Sequence, residues 1–141
     1  MLKYNTMNNE LQLSDPDFWK HRKEIISETG VVYIIRSKPN SNYKSIQRVL
    51  ANDEEGILYI GEGRGESRLA RLVESVSPSY NSANHGFGVK FKSDPRFQEQ
   101  FPYETLYIEL IATNAHKQIE KEKLSDYEER FGELPPFNKK S

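Results

Sequence analysis

Val31-Val32-Tyr33-Ile34-Ile35 places five β-forming residues in succession. A run of this kind, without polar alternation, reads as a largely buried strand. Whatever the chain folds into must therefore cover a sheet. A second apolar run, Ile57-Leu58-Tyr59-Ile60, reads the same way and closes on Gly61-Glu62-Gly63-Arg64-Gly65. From Tyr103 to Ile111 the sequence alternates, with Leu106, Ile108 and Leu110 on one face of a third strand.

Helical signals lie between and beyond these runs. Ser14-Asp15-Pro16-Asp17 supplies cap oxygens, a first-turn proline and acid at the positive end of a helix. Phe18, Trp19, Arg22, Ile25 and Ile26 follow at helical spacing up to Thr29-Gly30, with the Phe18/Ile25 side expected to pack on the domain. Ile46, Val49 and Leu50 suggest a short helix, and Leu69, Leu72, Val73 and Val76 define an amphipathic one over 66–76. A last helix is predicted from about Asn114 to Phe131, ending at Gly132 as its C′ residue. Pro135-Pro136 then forces an extended tail. Residues 1–13 read as loose or weakly extended, 37–45 as loop and 77–96 as turn-rich. Segregated strands and helices in this order predict a small α+β domain with a three-stranded sheet. In domain terms, 1–30 is an N-terminal segment with a helix, and 31–141 is the body, carrying an insertion at 37–56.

Composition narrows the classes available. A length of 141 residues fits one domain. Although only 35% of residues are hydrophobic and 29% are charged, an aromatic share of 11% is enough for a modest core. No stretch approaches the roughly 18 apolar residues of a membrane span, and the first residues carry no apolar signal region. Absence of cysteine excludes disulfides, thiolate metal sites and cysteine nucleophiles; with no secretory signal, it leads to the expectation of a cytoplasmic protein without membrane association. Net charge is −1, from 20 basic and 21 acidic residues, less basic than non-specific phosphate attraction usually requires. The charge is unevenly spread. Between Gly63 and Arg96, Arg64, Arg68, Arg71, Lys90, Lys92 and Arg96 outnumber Glu66, Glu74 and Asp94. They read either as a local basic face or as ordinary solvated surface.

Several residues could carry chemistry, each with a structural rival. Gly61-x-Gly63-x-Gly65 sits between a strand and a helix, as a phosphate cradle would, yet it lacks the G-x-G-x-x-G spacing and any Walker lysine. It reads equally as a turn needing positive φ. His85 lies in the glycine-flanked loop Asn84-His85-Gly86-Phe87-Gly88, while His21 and His116 fall on predicted helices at no metal-ligand spacing. On the last helix, His116, Glu120, Leu124, Tyr127 and Phe131 step by three or four residues, so Glu120 shares the apolar stripe. A carboxylate there costs desolvation unless a cation or donor meets it, and a salt bridge to a nearby arginine would satisfy it. Glu122 is turned about 200° from Glu120 and should face water. Tyr33 and Tyr59 occupy the centres of apolar strands, where tyrosines are common core residues.

Together these pieces resemble the GIY-YIG nuclease domain. Val31-Val32-Tyr33 is similar to the G-I-Y element with valine for glycine, and Leu58-Tyr59-Ile60-Gly61 is close to Y-I-G. Arg68-Leu69 corresponds to the family arginine, Glu120 to the helix-borne metal-binding glutamate, and Asn138, after Pro135-Pro136-Phe137, to the terminal asparagine. His85 stands where some members carry a histidine. The resemblance spans Val31 to Asn138 and departs in the insertion at 37–56 and in Glu62, where several members place a basic or neutral polar residue.

The resemblance implies a central three-stranded antiparallel sheet flanked by helices, and a metal-dependent endonuclease hydrolysing phosphodiester bonds in DNA. Its catalytic residues would be Tyr33, Tyr59, Arg68, His85, Glu120 and Asn138. One Mg²⁺ or Mn²⁺ on a single carboxylate would supply the Lewis acid, with Glu120 preferred over Glu122 by the stripe. Arg68 would bind the phosphate through its planar fork. An unperturbed phenol is a poor base at neutral pH, so the metal field, Arg68 or a neighbouring base such as His85 would have to draw off its proton. Tyr33 is placed on the base side, and Asn138 holds the phosphate or a water in register. Arg64, Arg71, Lys90 and Lys92 are the candidate DNA contacts, with Arg96 flanking them. The alternative is a GIY-YIG-like nucleic-acid-binding or interaction module whose catalysis has lapsed.

Overall fold

The computed structural model describes residues 9–25, 30–80 and 85–139. Its sheet has four antiparallel strands where the sequence predicts three. Strand β1 (Glu10–Gln12) lies on one edge and pairs with β6 (Leu106–Ala112), which pairs with the central β2 (Gly30–Ser37), which pairs with β5 (Ile57–Arg64) on the other edge. A three-residue strand carries too little alternation to stand out from coil. What makes it a strand is the β6 edge, together with Leu11 packed on the core and Leu13 buried in it. The N-terminal segment is thus built into the sheet.

All eight residues of β2 are buried, as its apolar run requires. One face of the sheet carries Tyr33, Ile35 and Leu58, packed with Leu69, Leu72, Phe87 and Phe91; the other carries Val32, Ile34 and Ile60 against Leu124. The first face is covered by α2 (Ser67–Val76) and α3 (Gly86–Ser93), the second by α5 (His116–Phe131). Helix α5 buries His116, Leu124, Tyr127 and Phe131 and ends on Gly132 at φ 81°, the left-handed C′ position its sequence predicts. Helix α1 (Phe18–Ile25) buries Phe18. The side chain of Ile25, with Ile26, Thr29, Asn84 and residues 1–8, lies outside the described residues.

Two further elements depart from expectation. Residues 46–53 form a hairpin of β3 (Ile46–Gln47) and β4 (Asn52–Asp53), not a helix. Val49 and Leu50 stand 71% and 65% exposed at its tip, where the Leu50 N–H donates to Phe131 O at 3.0 Å and the Val49 N–H to Glu133 Oε2 at 2.8 Å, so the turn is bound to the end of α5. The segment expected to be turn-rich contains α3 and α4 (Pro95–Gln100), capped by His85 and Asp94. Helix α3 forms despite two glycines because tertiary packing overrides propensity. A Cβ on Gly88 would overlap Ser75 of α2, so glycine is what lets these helices touch.

After α5 the tail returns along β5. Phe137 donates its N–H to the Leu58 carbonyl at 3.0 Å, and its ring lies among Phe87, Phe91, Phe97 and Phe101. Among the described residues no helix is long and apolar enough to cross a membrane.

Candidate active site

Tyr33 stands directly opposite Gly61 in the β2–β5 register. Gly61 has no side chain on the face the two tyrosines share, and there is no room for one. A Cβ there would overlap the Tyr33 ring and lie 2.7 Å from Tyr59 Cε2. The missing Cβ lets the rings approach to 6.5 Å between centroids at 24°. Tyr33 is fully buried and its hydroxyl donates to the Glu62 carbonyl at 3.1 Å. Tyr59 is only partly buried, and its hydroxyl makes no hydrogen bond with a described residue. Burial, and then the neighbouring Tyr59, hold the Tyr33 phenol far above its ordinary pKa. Burial and the Glu120 carboxylate, opposed by Arg68, push Tyr59 up to about 12. Both are neutral phenols at physiological pH.

Beyond Gly61 the outer side of β5 opens onto a cavity of about 410 Å³ lined by Arg64, Arg68, Arg71, Lys117, Glu62 and His116. Arg68, in the first turn of α2, lies across Gly63, where a Cβ would sit 3.1 Å from its own. Arg64, Arg71 and Lys117 make no ion pair with any described residue. Glu62 is bound on two sides: Oε1 lies 2.6 Å from His116 Nδ1, and Oε2 lies 3.6 Å from Arg68 Nη1.

Glu120 reaches the same region from α5. It is half-buried and makes no hydrogen bond or ion pair with a described residue. Burial and then Glu62 raise its pKa, against Arg68 and His116. Tyr33, Tyr59, Arg68 and Glu120 are therefore all within electrostatic reach of one another. Glu122 is exposed and accepts from Gln118 Nε2 at 3.0 Å, which leaves Glu120 as the inward carboxylate of the two. Among the described residues no group of three or more histidine or carboxylate side chains could hold a metal ion.

His85 borders Tyr59 edge-on at 5.6 Å. Its Nδ1 accepts the Phe87 N–H at 3.1 Å, capping α3. Burial, then Arg68 and Arg71, lower its pKa to about 4, so at neutral pH the ring is uncharged. With Nδ1 accepting, the proton sits on Nε2. His85 is thereby a hydrogen-bond donor at Nε2 and is not poised to take a proton from Tyr59.

Asn138 is bound to the backbone through both ends of its amide. Its Oδ1 accepts from Ile60 N at 3.0 Å and its Nδ2 donates to Ile60 O at 2.9 Å, so its amide closes the β5 edge beside Tyr59. Asn138→Asp would set a carboxylate against that carbonyl. We expect a loss of about 1–3 kcal/mol in urea unfolding, with a parallel fall in any activity that depends on Tyr59.

The remaining candidate contacts make bonds within the chain. Lys90 Nζ donates to Pro136 O at 2.8 Å, and Lys92 Nζ to Ser77 O and Tyr80 O at 2.7 and 2.8 Å. Arg96 is paired with Asp94 at 2.6 Å. The lysines tie loops and tail to α3; of the predicted site residues Arg64, Arg68 and Arg71 line the cavity, while Tyr33, Tyr59, His85, Glu120, Asn138, Lys90 and Lys92 do not. The Glu62–His116 pair is the feature that sequence reasoning missed. His116 does head the buried stripe of α5, but its partner lies 54 residues away and no local pattern joins them. No protein-family model matches the chain, and no curated protein or solved structure matches it either.

Proposed function

We propose that the chain is a metal-dependent endonuclease of the GIY-YIG type, hydrolysing phosphodiester bonds in DNA. The observation that supports this reading is that Tyr59, Arg68 and a Glu120 carboxylate paired with no described residue lie within electrostatic reach of one another, with Arg68 lining the cavity beside Arg64, Arg71 and Lys117. Arginine forks suit phosphate oxygens, and the first turn of α2 adds backbone N–H groups without helical partners. Arg68 binds the scissile phosphate and stabilises the charge that grows on it. Arg64 and Arg71 hold the flanking backbone.

Tyr59 is the tyrosine that meets solvent, so it takes the role of orienting the attacking water through its neutral hydroxyl. Tyr33, buried and bound to the Glu62 carbonyl, positions Tyr59 and the β5 backbone. His85 offers Nε2–H to a phosphoryl oxygen. Mg²⁺ or Mn²⁺ held by Glu120 would supply Lewis-acid polarisation of the phosphoryl group.

The net charge of −1 favours a second reading, a nucleic-acid-binding module whose catalysis has lapsed. Nicking of supercoiled plasmid in Mg²⁺ or Mn²⁺, against EDTA, separates them. Metal-dependent nicking is expected. Binding of DNA without nicking, across metals and substrates, would replace the enzyme by the module.

A further inference from the structure

Glu62 is the only acidic side chain lining the cavity among the described residues. Carboxylate and phosphate oxygens engage a guanidinium in the same way, so a carboxylate beside Arg68 can stand in for a substrate phosphate. Glu62 is nevertheless engaged unequally. At 2.6 Å its Oε1 makes a short hydrogen bond with His116, whereas the 3.6 Å from Oε2 to Arg68 exceeds hydrogen-bond distance. The Glu62 and His116 side chains are 14% and 9% exposed, against 52% for Arg68. The His116 contact is thus the shorter and more buried of the two, and Arg68 is the more exposed partner.

Both members of the buried pair are anchored. The His116 ring rests so closely on Gly30 that a Cβ there would overlap it. The Glu62 main chain is held by the Tyr33 hydroxyl, so the carboxylate can move only by turning its own side chain. Released from His116, the carboxylate would close the 3.6 Å that separates its Oε2 from Arg68 Nη1.

We propose that Glu62 is an internal competitor for the phosphate-binding guanidinium of Arg68, and that His116 is the latch that holds it off. The proposal rests on the reading of Arg68 as the phosphate ligand. It deepens that reading by making anion affinity adjustable from inside the chain. Two substitutions at one contact then have opposite effects. Glu62→Gln keeps the shape, removes the competing charge and frees Arg68. His116→Ala removes the latch and lets Glu62 close on Arg68.

The test is binding in EDTA, where no metal contributes, with a fluorescent DNA duplex followed by anisotropy and inorganic pyrophosphate followed by calorimetry. Glu62→Gln is expected to tighten both by about fivefold and to steepen the salt dependence for DNA by about one charge. His116→Ala is expected to weaken both by a similar factor. His116→Gln, which retains a donor for Glu62, should fall between wild type and His116→Ala and serves if the alanine variant does not fold. Opposite shifts support the latch. Shifts in the same direction, unchanged affinities, or no binding of either probe by any variant overturn it. Should wild type fail to nick plasmid while the opposite shifts appear, the endonuclease reading falls and the latch stands. Should wild type nick plasmid while both variants shift the same way, the latch falls and the endonuclease reading stands.

Discussion

Tyr59→Phe is expected to lower cleavage about 10²- to 10⁴-fold while leaving DNA affinity and thermal stability nearly unchanged. The substitution deletes one hydroxyl that no described residue uses, and the ring keeps its contacts with Tyr33, His85 and Phe87. A tyrosine that only filled the core would therefore be replaced silently. A loss confined to kcat, read from single-turnover cleavage, is the signature of an interaction made in the transition state. Tyr33→Phe is the contrasting case. Its hydroxyl serves the Glu62 carbonyl in a fully buried setting, so its removal should destabilise by about 1–3 kcal/mol. Wild-type cleavage by Tyr59→Phe would remove Tyr59 from the mechanism.

Glu120→Gln is expected to abolish metal-dependent cleavage and, in metal-free buffer, to raise the melting temperature at neutral pH. Burial and the Glu62 charge place the Glu120 pKa above 4.5 in the folded chain. Between that value and the raised one, the folded state binds more protons than the unfolded state. The contribution of this group to stability is thus fully present below about 4.5 and is lost as pH rises through the folded pKa. Glutamine abolishes the titration. Its advantage should appear in melts at neutral pH and vanish below about pH 4.5. Mg²⁺ or Mn²⁺ should raise the wild-type melting temperature by mass action and leave that of Glu120→Gln unmoved. Equal metal shifts in both proteins would show that Glu120 is not the ligand.

The candidate site was legible wherever a residue's own element carries the information. Tyr33 and Tyr59 sit at the centres of apolar runs, and runs of that kind become strands. Glu120 sits on the stripe His116, Leu124, Tyr127, Phe131, which is buried in α5 as its spacing predicts. Arg68 follows the glycine turn into an amphipathic helix whose Leu69, Leu72, Val73 and Val76 are all buried. Partners across the chain were not legible. Lys90 and Lys92 read as free cations until folding brings carbonyls of residues 136, 77 and 80 onto them. Asn138 reads as a polar site residue, and nothing in its surroundings in sequence announces that its amide bonds the N–H and carbonyl of Ile60.

What the sequence determined by itself is what a period of two or of 3.6 residues can encode: β2, β5, most of β6, α2, α5 and the stop at Gly132. Each is a local preference strong enough to survive in any fold that buries it. Only the tertiary structure decided the rest. Strand β1 exists because β6 has an edge to pair with, the β3–β4 hairpin because Val49 and Leu50 bond to residues 131 and 133 at the end of α5, and α3 because Gly88 allows Ser75 to approach. The pairing of Glu62 with His116 belongs to the same class. Such contacts draw their energy from desolvation and close approach between residues far apart in the chain. They arise only when the fold has brought both partners out of water together.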